Sequence, residues 1–180
     1  MQRPAREHPP TYYLRFHLYH RLLHGLLMGT FLGLAATGMP LRFNQAAWAR
    51  GLAHAMGGFG AIVFFHRTFA VLLTLCFLLH IGYVFSLAFI RGEVGVFWGP
   101  ASMVPQPRDL LDMFQHFRWF FRMGPKPRFG RFTYWEKFDY WAVFWGMAII
   151  GTTGYVLWFS SFFAKFLPGW LLNIALLIHA

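Results

Sequence analysis

Apolar positions in this chain come in long runs, not in the alternation of a half-buried strand. Runs with almost no charge cover residues 17–41, 61–90 and 137–160, and a fourth starts at 169. Each of the first three reaches the roughly 20 residues that carry a helix across about 30 Å of hydrocarbon. They are apolar around most of their circumference, which predicts membrane-spanning helices and not surface helices with one buried stripe. From Trp170 to Ala180 a helix rises only about 16 Å, so the fourth span is expected to be incomplete within this sequence and to run on past Ala180. The expected fold is all-α: one domain over residues 1–180, an integral membrane four-helix bundle with its fourth helix unfinished. Two amphipathic segments lie between the runs. "NQAAWARGLAHAMGG" predicts a short interfacial helix ended by Gly57 and Gly58. "DLLDMFQHFRWFFRM" sets its Phe and Leu residues mostly on a face opposite Asp112, Gln115 and Arg122, which predicts a second interfacial helix closed by "GPKP".

Composition agrees with this pattern. The chain is 57% hydrophobic, 21% aromatic and only 12% charged, against about 25% charged in a soluble domain, so a soluble fold is excluded. A net charge of +10 would suit nucleic acid, but the cations sit between apolar runs and form no separate basic module. Topology accounts for them better. Arg3, Arg6, Arg15 and Arg21 precede or open the first run, and eight Lys and Arg residues fall between Arg91 and Lys137. The positive-inside rule then predicts a cytoplasmic N-terminus. The first run is too long for a signal-peptide core and is read as a retained span. The single cysteine, Cys76, excludes a disulfide framework, a c-type haem attachment and an iron–sulfur ligand set.

Candidate chemistry lies in the histidines. His66 and His80 sit fourteen residues apart in the second run. On a helix that spacing returns a side chain to within about 40° of its starting direction, roughly 21 Å further along. One helix can in this way offer an imidazole to each of two stacked b-type haems, which need axial ligands and no covalent attachment. His20 and His24 stand one turn apart in the first run, where Gly25, Gly29 and Gly33 recur at every fourth position, a spacing that suits either a macrocycle or close helix packing. His179 falls at a depth that lets it share a macrocycle with His66. Blander readings stand beside each. His66 also fits a headgroup-region histidine beside Arg67, and His80 fits a cross-helix hydrogen bond. His17, His20 and His24 have the spacing of a zinc set but lack a nearby carboxylate or cysteine to complete it. His8, His54 and His116 are expected to be solvated, and the Phe and Trp residues to face lipid or the interface.

With these residues on the page a family is recognisable. "HRLLH" in the first run, "FHRTFAVLLTLCFLLH" in the second, "RFTYWEKFDYWAVFWGMAIIGTTGYVLWF" in the third and "FLPGWLLNIALLIH" in the fourth resemble the di-haem cytochrome b subunits of formate dehydrogenase, nickel–iron hydrogenase and thiosulfate reductase. The resemblance is closest to the branch associated with multihaem c-type cytochromes, and it extends over about residues 16–180. It implies a multi-pass subunit of a bacterial cytoplasmic (inner) membrane that passes electrons between a quinone or menaquinone pool and an extracytoplasmic redox subunit, a multihaem cytochrome c or an iron–sulfur protein. It implies two haems b as cofactors. His24, His66 and His179 become iron ligands, with His66 and His179 sharing the outer haem. The inner haem would pair His24, or His20 as the alternative, with a histidine beyond Ala180 or with His80, expected at a depth comparable to His24. A quinone pocket is implied near the start of the third run, where Thr133, Tyr134, Glu136 and Asp139 supply hydrogen-bonding and titratable groups. The residues alone favour instead an interfacial cluster in which Glu136 and Asp139 neutralise Arg131 and Lys137. Two rival functions remain: a transmembrane haem reductase that does not use quinol, and a non-redox transporter or anchor subunit, the latter disfavoured by the scarcity of acids within the spans.

Overall fold

A computed structural model describes residues 16–180, so Arg3, Arg6, His8 and Arg15 lie outside the described residues. Helix α1 covers Leu18–Arg42, α2 Ala47–Ala55 and α3 Phe59–Phe85, which a π turn, Ser86–Ile90, prolongs. Helix α4 covers Pro107–Phe120. The third long run folds as α5, Tyr134–Gly146, a π turn, Met147–Gly151, and α6, Thr152–Trp158; α7, Ser160–Phe163, and α8, Gly169–His179, follow. Three helical stretches, Leu18–Arg42, Phe59–Ile90 and Tyr134–Trp158, are long and apolar enough to cross a membrane, the make-up of a multi-pass membrane protein. The described residues contain no strand.

Helix ends follow local chemistry. Gly57 and Gly58 adopt φ of 92° and 98°, a region costly to a side chain, and their N–H groups bond back to the carbonyls of His54 and Ala53 at 3.2 and 2.6 Å, ending α2 where the sequence predicts. Helix α4 opens with Pro107 in its first turn and Asp109 accepting the Gln106 N–H at 2.6 Å. Helix α5 opens with a reciprocal capping box. The Thr133 hydroxyl accepts the Glu136 N–H at 3.2 Å, and the Glu136 carboxylate accepts the Thr133 N–H at 2.8 Å.

Helices α1 and α3 pack antiparallel along most of their length, and α8 packs on α6 and the preceding π turn. The register between α1 and α3 is fixed by Tyr19, whose hydroxyl donates to the Leu79 carbonyl at 3.0 Å, by the Cys76 thiol donating to the Leu23 carbonyl at 3.4 Å, and by Thr37 facing His66. Between α3 and the third span run two side-chain bonds, Thr74 with Tyr155 at 2.8 Å and His80 with Tyr140 at 2.9 Å. The apolar core is small and made of compact side chains, Ala49, Ala53, Ile62, Cys76 and Ala175, whereas Phe138 and Leu177 are 64% and 80% exposed. Water would penalise that outward apolar surface heavily, and lipid does not.

One expectation is corrected at the base of the third span. Lys137 does not pair with Glu136 or Asp139 on its own helix. Its ammonium lies 2.9 and 2.8 Å from the two carboxylate oxygens of Asp109, clamping α4 onto α5, with both side chains largely buried.

Candidate functional site

His66 on α3 and His179 on α8 converge from opposite ends of the sequence, their ring centroids 6.1 Å apart and their planes at 87°. The hydrogen bonds around them bear on their tautomers. The single hydroxyl proton of Thr37 is donated to the Gly33 carbonyl, 2.7 Å away, in the back-bonding usual for a threonine within a helix. At 2.9 Å from His66 Nδ1 that oxygen can accept, the pairing in which His66 carries its proton on Nδ1. His179 Nδ1 stands 3.0 Å from the Ile150 carbonyl, which can only accept, so it is protonated there. With that pairing both rings are left with an Nε2 lone pair. This is the arrangement of a metal-ligating histidine, whose other nitrogen is held by a carbonyl or hydroxyl that fixes tautomer and orientation.

Close backbone approach makes room for both rings. A Cβ on Gly38 would stand 3.3 Å from His66 Cε1, and one on Gly154 would stand 2.6 Å from His179 Cε1. Each imidazole therefore lies against the glycine of a Thr-Gly pair, Thr37–Gly38 in α1 and Thr153–Gly154 in α6. Together His66 and His179 bring two imidazoles to one place from two helices, a donor type that an iron-bearing cofactor could use. Arg67 follows His66 and lies over the Trp158 ring, 5.1 Å from its centroid.

About 21 Å along α3, His80 has different surroundings. Its Nε2 is 2.9 Å from the Tyr140 hydroxyl, and its ring meets Tyr140 and Phe144 edge-on. This is the cross-helix hydrogen bond of the blander reading, and it leaves only Nδ1 for a metal. The expectation that His80 lies at the depth of His24 is also corrected. The register set by Tyr19 with Leu79 and Leu23 with Cys76 brings His80 level with His20, whose ring packs edge-on against Tyr83 at 5.0 Å. His24 is one turn further along α1, exposed and without a side-chain hydrogen bond or ring contact among the described residues. The glycine stripe divides as well. Gly33 is in helix contact, a Cβ there meeting Phe69 at 2.7 Å, while Gly25 and Gly29 have no neighbour within 4 Å of a built Cβ. No three His, Cys, Asp or Glu side chains among the described residues converge on a common point, so His17, His20 and His24 do not form a zinc set. Two apolar grooves border the His80 level, one of about 520 Å³ lined by Tyr19, Leu75, Gly82 and Tyr83, the other of about 460 Å³ lined by Phe77, Trp141, Phe144 and Trp145.

The four residues at the start of the third span are not gathered into one pocket. Thr133 and Glu136 are engaged in the capping box, Asp139 is exposed, and the Tyr134 hydroxyl bonds His116 Nδ1 at 2.9 Å. His116, expected to be solvated, is half-buried in an aromatic cluster with Trp119, Phe129 and Tyr134. His54 is exposed on α2, as expected.

Sequence reasoning found the histidines and missed what orients them: Thr37, the Ile150 carbonyl, Gly38, Gly154 and Tyr140. The Thr-Gly pairs inside two apolar runs were the available signal, since small and hydroxylic residues concentrate where transmembrane helices approach closely. Compared with protein-family models, with curated proteins and with solved structures, the chain matches none.

Proposed function

We propose that this chain is the b-type di-haem, membrane-anchoring electron-transfer subunit of a respiratory quinol oxidoreductase, seated in a bacterial cytoplasmic membrane with its N-terminus inside and its spans arranged as a four-helix bundle. The observation that carries the reading is the His66–His179 pair: two imidazoles 6.1 Å apart, both held at Nδ1 and both with Nε2 left over. Metal-ligating histidines are held in this way, by an oxygen partner at the ring nitrogen that does not bind the metal.

His66 and His179 would hold the outer haem. At the other level His20, His24 and His80 are the available ligands, of which His20 and His80 stand level with each other. A bound haem supplies reversible one-electron storage in the iron. The chain's own residues would orient the two imidazoles through Thr37 and the Ile150 carbonyl, exclude water with the surrounding Phe and Trp side chains, and present an apolar groove beside Tyr140 and His80 to a quinone ring. Proton exchange with the cytoplasm would fall to the polar groups where the third span begins, Thr133, Tyr134, Glu136 and Asp139, with His116 hydrogen-bonded to Tyr134. Electrons would leave to an extracytoplasmic redox partner at the His66 level, where Arg67 and Trp158 meet.

The test is a reduced-minus-oxidised absorption spectrum of the purified chain together with a pyridine haemochrome assay and addition of a menaquinol analogue. A b-type α band reduced by the quinol is expected. An absent band would sink the reading, and a band reduced by dithionite but not by quinol would transfer the protein to the haem reductases.

A further inference from the structure

Helix α4 sorts its charges by burial. Asp109 is tied to Lys137 and to the Gln106 N–H, and Asp112 is buried. Arg108, Arg118, Arg122 and Lys126 are all exposed, so every charged side chain that reaches the surface on this helix and its closing turn is cationic. At 100° per residue, Leu110, Phe114 and Phe117 form one stripe, each more than half exposed. Arg118 flanks that stripe on one side, with Arg108 further round the same side, while Asp109 and His116 flank it on the other, where they bond to Lys137 and Tyr134 of α5. The helix therefore presents three faces: one bound to the protein, one apolar and unpartnered, and one on which Arg108 and Arg118 are the only charged side chains, with exposed Leu111 and Gln115 between them. Arg122 extends the cationic flank by closing the helix in a left-handed turn, φ 59°, an uncommon conformation for a residue with a side chain.

We infer that α4 is an anchor for the anionic leaflet: its Leu and Phe stripe lies at the acyl boundary while Arg108, Arg118, Arg122 and Lys126 take acidic phospholipid headgroups. A protein partner would be equally served by an apolar stripe. It is the segregation of acids inward and cations outward, on a helix packed against the base of a spanning stretch, that matches a negatively charged membrane surface.

The test reconstitutes the whole chain in nanodiscs of phosphatidylcholine alone and of phosphatidylcholine mixed with phosphatidylglycerol, and follows amide hydrogen exchange of residues 107–123 by mass spectrometry. Exchange in the anionic discs is expected to be slower by about tenfold or more, and the difference is expected to collapse at high salt and in the triple variant Arg108→Gln, Arg118→Gln, Arg122→Gln. Exchange in α1 and α3 reports whether the variant has kept its fold; if it has not, the salt titration of the unaltered chain decides. Equal exchange in the two bilayers would overturn the inference and leave the face to a protein partner. A lipid difference that survives both high salt and the triple substitution would overturn it too, because the cations would then not be its cause.

Discussion

Single side chains at the His66–His179 pair are constrained enough to give sharp expectations. Gly154→Ala puts a methyl group 2.6 Å from His179 Cε1, so the imidazole must leave its position. Gly151→Ala, one turn away on the same helix, meets only the flexible end of Met147 at 3.4 Å. On the proposed two-haem reading, haem content per chain, measured by pyridine haemochrome, is expected to fall to about half in the first variant and to hold in the second. Thr37→Val keeps the shape and removes the oxygen that fixes His66 Nδ1. Such loss of an orienting partner typically costs 10–100-fold in metal affinity, and haem titration into the haem-free variant is expected to fall in that range, with far-ultraviolet circular dichroism unchanged. His66 was legible in the sequence because an imidazole in an apolar run is rare and expensive. Thr37 was not, because a threonine in a transmembrane helix ordinarily satisfies itself on its own backbone; its second role appears only when α3 is docked, 29 residues away.

At the scale of elements, the long spans were readable almost to the residue, since a run of spanning length with little charge has few other fates. The start of the third span shifts from 137 to Tyr134 because the capping box of Thr133 and Glu136 begins the helix before its apolar run does. What holds α4 was not readable. Glu136 and Asp139 are near Lys137 in sequence, but residues one and two apart do not face each other on a helix, and Asp109, 28 residues earlier, pairs instead because α4 folds back on α5 and brings a carboxylate with both oxygens within 3 Å of the ammonium. Asp109→Asn removes that partner and strands a lysine that is only 8% exposed at its side chain. Breaking a buried pair from one side costs about 3–5 kcal/mol. Detachment of α4 is therefore expected as faster tryptic cleavage after Arg118 and Arg122 in a detergent-solubilised sample. The double variant Asp109→Asn, Lys137→Met is expected to recover part of the protection, since it leaves no buried charge without a partner.

For the molecule as a whole, the two histidine levels of α3 differ in kind, and that difference gives the proposed two-haem arrangement its strictest test. At the first level the imidazoles of His66 and His179 come from two helices with both Nδ1 positions held; at the second, His80 is bonded through Nε2 to Tyr140 and stands level with His20 and not with His24. About 21 Å separates the levels along one continuous helix, so a cavity at one is not expected to disturb ligation at the other. His66→Ala is expected to remove one haem, abolish one of two midpoints in a redox titration, and leave the remaining α band intact. His80→Ala is the informative counterpart. If Tyr140 is its true partner, haem content stays at the wild-type level and only a modest loss of thermal stability follows, about 1 kcal/mol for an exchanged hydrogen bond. If haem binding instead displaces Tyr140 from Nε2, His80→Ala loses the second midpoint, and Tyr140→Phe, which frees that nitrogen in advance, shifts the midpoint without lowering haem content. The His20→Ala and His24→Ala variants then identify the ligand on α1 by which of them repeats the His80→Ala loss, and the register between α1 and α3 favours His20.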